Sequence, residues 1–121
     1  MNQTVLVIED NEQNLYLMRF LLEKNDFTVV EATDGINGVE AAKKVKPDLI
    51  LLDIQLPIMD GYAVARELRK DHRLAAVPIV AVTSYAMAGD RERALEAGAD
   101  GYIEKPIDPE KFVEQIKQFI H

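Results

Sequence analysis

The sequence predicts an α/β fold, a parallel sheet covered by helices. Three observations carry that reading. Short unbroken apolar runs recur at Val5–Ile8, Leu49–Leu52 and Ile79–Val82. Runs of that length read as strands buried on both faces, as in the middle of a parallel sheet. Each run ends at a polar residue: Glu9 and Asp10, Asp53, and Thr83. Between them lie segments with apolar residues at helical spacing, so that strand and helix alternate about five times.

The elements follow in order. Thr4 to Ile8 is the first strand, and Asp10 or Asn11 caps a helix from Asn11 to Asn25 with Leu15, Met18, Leu21 and Leu22 on its apolar stripe. Phe27 to Glu31 is a more polar strand, which places it at an edge. Asp34-Gly35 turns into a helix bearing Gly38, Ala41, Ala42 and Val45, stopped by Pro47. The strand ending at Asp53 comes next, then a loop from Ile54 to Gly61 and a helix marked by Val64 and Leu68. Pro78 opens the strand that ends at Thr83. A fourth helix is expected from about Ala88 to Ala97, with Gly98 as its C-terminal cap. Tyr102-Ile103 is a short strand. Asp108-Pro109 starts the last helix, whose apolar face is Phe112, Val113, Ile116, Phe119 and Ile120.

Bulk properties narrow the function. The 121 residues suit one domain, read as 1–121, and 48% hydrophobic content supplies a core. No apolar run reaches membrane-spanning length, and the first residues do not form a signal peptide, so no membrane association is expected. There is no Cys, hence no disulfide and no thiolate metal site, which favours a cytoplasmic location. The net charge of −7 argues against direct binding of nucleic acid.

The polar residues that follow the strands carry the chemistry. Glu9 and Asp10 follow the first strand, Asp53 ends the third, Thr83 and Ser84 end the fourth, and Lys105-Pro106 follows the fifth. In a parallel sheet these points share the carboxyl edge, where sites of open α/β sheets form. A reversal of winding direction brings the first and third strands together, so three carboxylates crowd one crevice with a hydroxyl and an ammonium facing them. Clustered carboxylates raise one another's pKa, and a hard divalent cation such as Mg²⁺ relieves that. A cation, an ammonium and a hydroxyl around a carboxylate nucleophile form a site for phosphoryl transfer. Singly, each residue has an ordinary reading: capping acids, a strand-end Thr, a surface Lys. Their shared position on one edge favours the functional one.

The motifs resemble the receiver domain of two-component response regulators over essentially the whole chain. They are Val7-Ile8-Glu9-Asp10-Asn11, Leu52-Asp53-Ile54-Gln55-Leu56-Pro57, Met59-Asp60-Gly61, Pro78-Ile79-Val80-Ala81-Val82-Thr83 and Gly98-Ala99-Asp100-Gly101-Tyr102-Ile103-Glu104-Lys105-Pro106. Each alone is weak; all of them in order are highly specific. The likeness extends to stand-alone receivers and to those attached to hybrid histidine kinases, including the cell-division regulator type. The resemblance implies a flavodoxin-like doubly wound sheet of five parallel strands, order 2-1-3-4-5, with five helices. It implies that Asp53 is the phosphoacceptor, that Glu9, Asp10, Asp53 and the Gln55 backbone carbonyl hold Mg²⁺, and that Thr83 and Lys105 bind the phosphoryl group. Thr83 and Tyr102 would be the switch pair, and the Lys105–Pro106 bond would be cis. Gln55 and Tyr85 sit at positions that modulate hydrolysis in the family. The first acid is Glu where many members have Asp, a common variation.

The implied function is a phosphorelay response regulator that takes a phosphoryl group from a phospho-histidine protein and switches a partner-binding surface. It is a signalling module, not an enzyme acting on other substrates; it catalyses only its own phosphoryl transfer and dephosphorylation. Implied partners are a sensor histidine kinase or histidine phosphotransfer protein, and a downstream protein reading the face of helix 4, strand 5 and helix 5. A flavodoxin needs a Ser, Thr and Gly-rich phosphate loop where this chain has Glu9-Asp10-Asn11-Glu12. A haloacid-dehalogenase-type phosphatase needs an acid two residues after the nucleophile, where this chain has Gln55. No P-loop is present, and His72 and His121 are too far apart in sequence to suggest a zinc pair. The remaining alternative is a receiver-like docking module that works without phosphate, and phosphate-dependent partner binding separates the two.

Overall fold

A computed structural model describes residues 3–84 and 89–120. The elements are β1 (Thr4–Ile8), α1 (Glu12–Lys24), β2 (Thr28–Ala32), α2 (Gly35–Val45), β3 (Leu49–Asp53), α3 (Gly61–Lys70), β4 (Ile79–Thr83), α4 (Asp90–Ala97), β5 (Gly101–Glu104) and α5 (Phe112–Lys117). A 3₁₀ turn, His72–Leu74, follows α3 and was not foreseen. The strands form one parallel sheet in the order β2-β1-β3-β4-β5, the doubly wound order implied by the resemblance.

Alternation along each strand divides the core in two. One side joins Val5, Val7, Leu49, Leu51, Val80 and Val82 to the apolar stripes of α1 and α5. The other joins Leu6, Ile8, Ile50, Leu52, Ile79 and Ala81 to α2, α3 and α4. The central strands β3 and β4 are buried at every residue, as their unbroken apolar runs require. β2 is buried only at Ala32, its other four residues being exposed or partly buried, and it lies at the edge.

Local chemistry sets the helix ends. Asn11, Asp34 and Asp60 cap α1, α2 and α3 by accepting from the backbone N–H three residues on. Gly98 ends α4 with φ 119°, a left-handed backbone that suits glycine. Gly61 is a close approach: a Cβ there would lie 2.6 Å from the Asp53 carbonyl oxygen and the Ile54 Cα. Its missing side chain lets α3 start directly against the end of β3.

Two boundaries, the starts of β2 and α5, differ from the sequence expectation. β2 begins at Thr28 because Phe27 is still tied to α1 through its N–H to the Leu22 carbonyl. The regular part of α5 begins at Phe112, not at Asp108-Pro109. Asp108 instead organises a preceding turn, its carboxylate accepting from Glu110 N–H and its carbonyl from Lys111 and Phe112 N–H. α4 is described from Asp90, and position 88 lies outside the described residues.

At the amino edge of the sheet one guanidinium gathers several segments. Arg69 on α3 donates to the carbonyls of Leu74, Val77 and Gly98 at 2.8–2.9 Å and pairs with Asp100 at 2.7 Å. Asp100 also accepts from Ile79 N–H at the start of β4. Replacing Arg69 with Leu strips these partly buried carbonyls of their donor, so unfolding in urea should show a loss of about 1–3 kcal/mol.

Candidate functional site

Strand register determines which residues meet at the carboxyl edge. Ile8 pairs with Leu52, so Glu9 stands opposite Asp53. Asp53 pairs with Val82, which puts Thr83 one residue further out, and Thr83 pairs with Glu104, which puts Lys105 one further again. The residues named from the sequence therefore converge from β1, β3, β4 and β5.

Glu9, Asp53 and Thr83 are the buried polar and charged residues of the described chain, at 0%, 3% and 2% exposure. Asp10 is exposed beside them. Carboxylate oxygens of Glu9, Asp10 and Asp53 lie within 4.8 Å of one another. The Lys105–Pro106 peptide bond is cis. Lys105 Nζ lies 2.7 Å from Glu9 Oε1 and 3.5 Å from Asp53 Oδ1. The other Glu9 oxygen accepts from Asn11 N–H, and Asp53 Oδ1 accepts from Gln55 N–H at 3.1 Å.

Glu9 carries the electrostatic tension of the site. Burial pushes its carboxyl from 4.5 to about 7; the neighbouring Asp53 adds to the rise and the Lys105 ammonium opposes it. Its fully buried Oε1 makes no hydrogen bond of good geometry, although the ammonium is close. Three oxygen-donor carboxylates, one of them incompletely satisfied, fit a hard divalent cation of the Mg²⁺ kind.

Gln55 reaches further than the sequence suggested. Its side-chain Nε2 donates to Thr83 Oγ1 at 2.7 Å, and its Oε1 accepts from Ser84 N–H at 3.3 Å. The amide thus bridges the ends of β3 and β4. Register alone does not reveal this, because it depends on how the loop after Asp53 folds back.

Thr83 and Tyr102 lie on the same face of the sheet. Tyr102 pairs with Ala81, two residues before Thr83, and packs partly buried against the core beneath α3 and α4. Burial and the nearby Asp90 and Glu104 carboxylates raise its hydroxyl pKa. Arg93 of α4 stacks over the ring of Tyr62 at 4.4 Å, joining the first turn of α3 to α4. Tyr85, singled out from the sequence, lies outside the described residues.

The model of the response regulator receiver domain matches residues 5–117. The chain belongs to the response regulator receiver domain family. It is 40% identical over 120 residues to the polar-differentiation response regulator DivK of Brucella anthropi, covering 99% of this chain and 98% of the relative. It is similar to the receiver domain of a sensor histidine kinase from Pseudomonas aeruginosa, with TM-score 0.90, 34% identity and 98% of each chain covered. That structure has a magnesium ion coordinated in its active-site cleft. The fold also matches the chemotaxis response regulator CheY4 of Vibrio cholerae, with TM-score 0.94, 22% identity, and coverage of 99% of this chain and 100% of that one. The receiver is thus a two-component signalling module, and among its described residues no helix is long and apolar enough to cross a membrane.

The raised Glu9 pKa gives a testable pH dependence. Between pH 4.5 and about 7 the unfolded chain has released this proton while the folded chain retains it. Without divalent cation, this group's contribution to stability is therefore lost as pH rises through that window. Urea unfolding in chelator should show this decline, and Glu9→Gln should flatten it. Added Mg²⁺ should stabilise the wild type more above pH 7 than below pH 4.5.

Proposed function

We propose that Asp53 accepts a phosphoryl group from a phospho-histidine protein, with Mg²⁺, and that this changes a partner-binding surface. The observation that carries the reading is the convergence of Asp53 with two further acids, the Lys105 ammonium and the Thr83–Gln55 pair at one sheet edge. The carboxylates of Glu9, Asp10 and Asp53 and the backbone carbonyl of Gln55 would hold the ion. When bound, it neutralises charge on the phosphoryl oxygens.

The residues of the chain supply the rest. An Asp53 oxygen attacks phosphorus in line with the leaving imidazole nitrogen; the new O–P bond forms as the N–P bond breaks, and the electron pair stays on the imidazole. Lys105, already within 3.5 Å of Asp53, takes up charge that develops on a phosphoryl oxygen. The Thr83 hydroxyl donates to another. The Gln55 N–H on Asp53 Oδ1 orients the carboxylate. The donor is a sensor histidine kinase or histidine phosphotransfer protein, the partners a receiver domain implies.

Switching follows from the new charge. A phosphoryl group brings close to −2 and three strong acceptors. Drawing Thr83 toward it breaks the bond from Gln55 Nε2, and Tyr102 turns into the space vacated on the same face. The face of α4, β5 and α5 changes with it and is read by a downstream protein. Such a shift needs a phosphoryl group that contacts one state better than the other.

Two outcomes test this. Acetyl phosphate with Mg²⁺ should add one phosphoryl group to the intact mass. Asp53→Asn or excess chelator should abolish the addition, and modification that persists in either would overturn the assignment. Beryllofluoride, which mimics the phosphoryl group, should shift amide resonances at the site and across α4, β5 and α5. Shifts confined to the loop after Asp53 would mean that nothing is transmitted.

A further inference from the structure

The loop that follows Asp53 contains an unusual turn. Met59 donates its N–H to the Pro57 carbonyl at 2.7 Å, and Ile58 between them has φ 69°. A three-residue turn centred on positive φ is the rare, strained form. For a β-branched residue this backbone is an outlier, whereas Gly or Asn adopts it at less cost. Ile58 is also 94% exposed, so its side chain gains almost nothing from packing within the chain. Backbone strain and an apolar group in water are two costs with no return inside the molecule.

The surroundings show where a return lies. Ile36, in the first turn of α2, is exposed at 59%. With Pro57, Ile58 and Met59 it helps line a shallow recess of about 170 Å³. Its two walls follow β2 and β3, so the recess opens at the same sheet edge as Asp53. Exposed acids Asp10, Glu12 and Asp60 stand at that edge too.

We propose that Ile58, with Ile36, is the apolar anchor on which the phosphoryl-donating protein seats itself; this rests on the function proposed above. Asp53 is 3% exposed, so a macromolecular donor reaches it only by pressing against the loops that wall it. The Asp53-to-Gly61 loop is one of these, and Ile58 is the most exposed of the large hydrophobic side chains among the described residues. The donor surface that fits is an apolar patch around its histidine with basic residues at the rim, complementary to the acids named. A second copy of this chain, with its net charge of −7, would bring like charge to that rim. A small acyl phosphate needs no such surface, which separates docking from chemistry.

The test uses two donors and two variants. The protein donor is a purified histidine kinase core, charged with labelled ATP and chosen because it transfers label to the wild-type chain. The small donor is acetyl phosphate. Ile58→Asn should raise the urea midpoint by relieving strain, yet lower kcat/KM for transfer from the kinase by at least about tenfold, mainly through KM. Ile36→Ser, which leaves the turn untouched, should weaken the same transfer without raising stability. Both variants should react with acetyl phosphate at rates within about twofold of wild type. Undiminished transfer from the kinase in both variants overturns the proposal. A parallel loss with acetyl phosphate also overturns it, since the defect would then lie at Asp53. If wild-type Asp53 takes no phosphoryl group from acetyl phosphate, the functional reading itself fails, whatever the variants do.

Discussion

The register of the parallel sheet is the constraint on which the site depends. Pairing Ile8 with Leu52 sets Glu9 and Asp53 level; pairing Asp53 with Val82 and Thr83 with Glu104 staggers Thr83 and Lys105 outward. A slip of one residue in any pair would send the side chain to the opposite face. Registry is secured by the strands' own apolar content. β3 and β4 are buried throughout, so every misregister would leave a large side chain unpacked or a carboxylate inside the core. The chemistry at the edge and the packing beneath it are thus fixed by one set of contacts.

That arrangement stores electrostatic tension instead of relieving it. Glu9 is wholly buried between a carboxylate and an ammonium, and burial outweighs the ammonium in setting its pKa. Lys105 is shared between Glu9 and Asp53, nearer the first. The site is therefore prepared for positive charge near its acids and for a further anion near Lys105. Gln55 adds a second preparation, because its amide N–H donates to Thr83 Oγ1 and holds that hydroxyl at the edge.

Much of this was legible in the sequence, for identifiable reasons. Apolar runs bounded by Pro and acids located β1, β3 and β4 to the residue, and acids placed at strand ends implied the carboxyl edge. The strand order came from the likeness to the receiver family, since periodicity does not order strands. What escaped was set by long-range hydrogen bonds. The Gln55 amide crosses 28 positions to Thr83, and the Arg69 guanidinium 31 positions to Asp100. No local pattern encodes such pairs. The start of α5 was misplaced because Asp108-Pro109 carries the signature of a helix start but serves a turn before it. The exposed Ile58 was also invisible, since an apolar residue in a loop gives no hint of its backbone angle.

Arg69 has a mechanical consequence. Its partners, Leu74, Val77, Gly98 and Asp100, all belong to segments that lead into β4 and β5 at their amino ends. The opposite ends of those strands carry Thr83 and Lys105. The sheet is thus riveted at one rim and charged at the other. One pair of strands has its amino-end leads joined by a guanidinium and its carboxyl ends turned toward the acids.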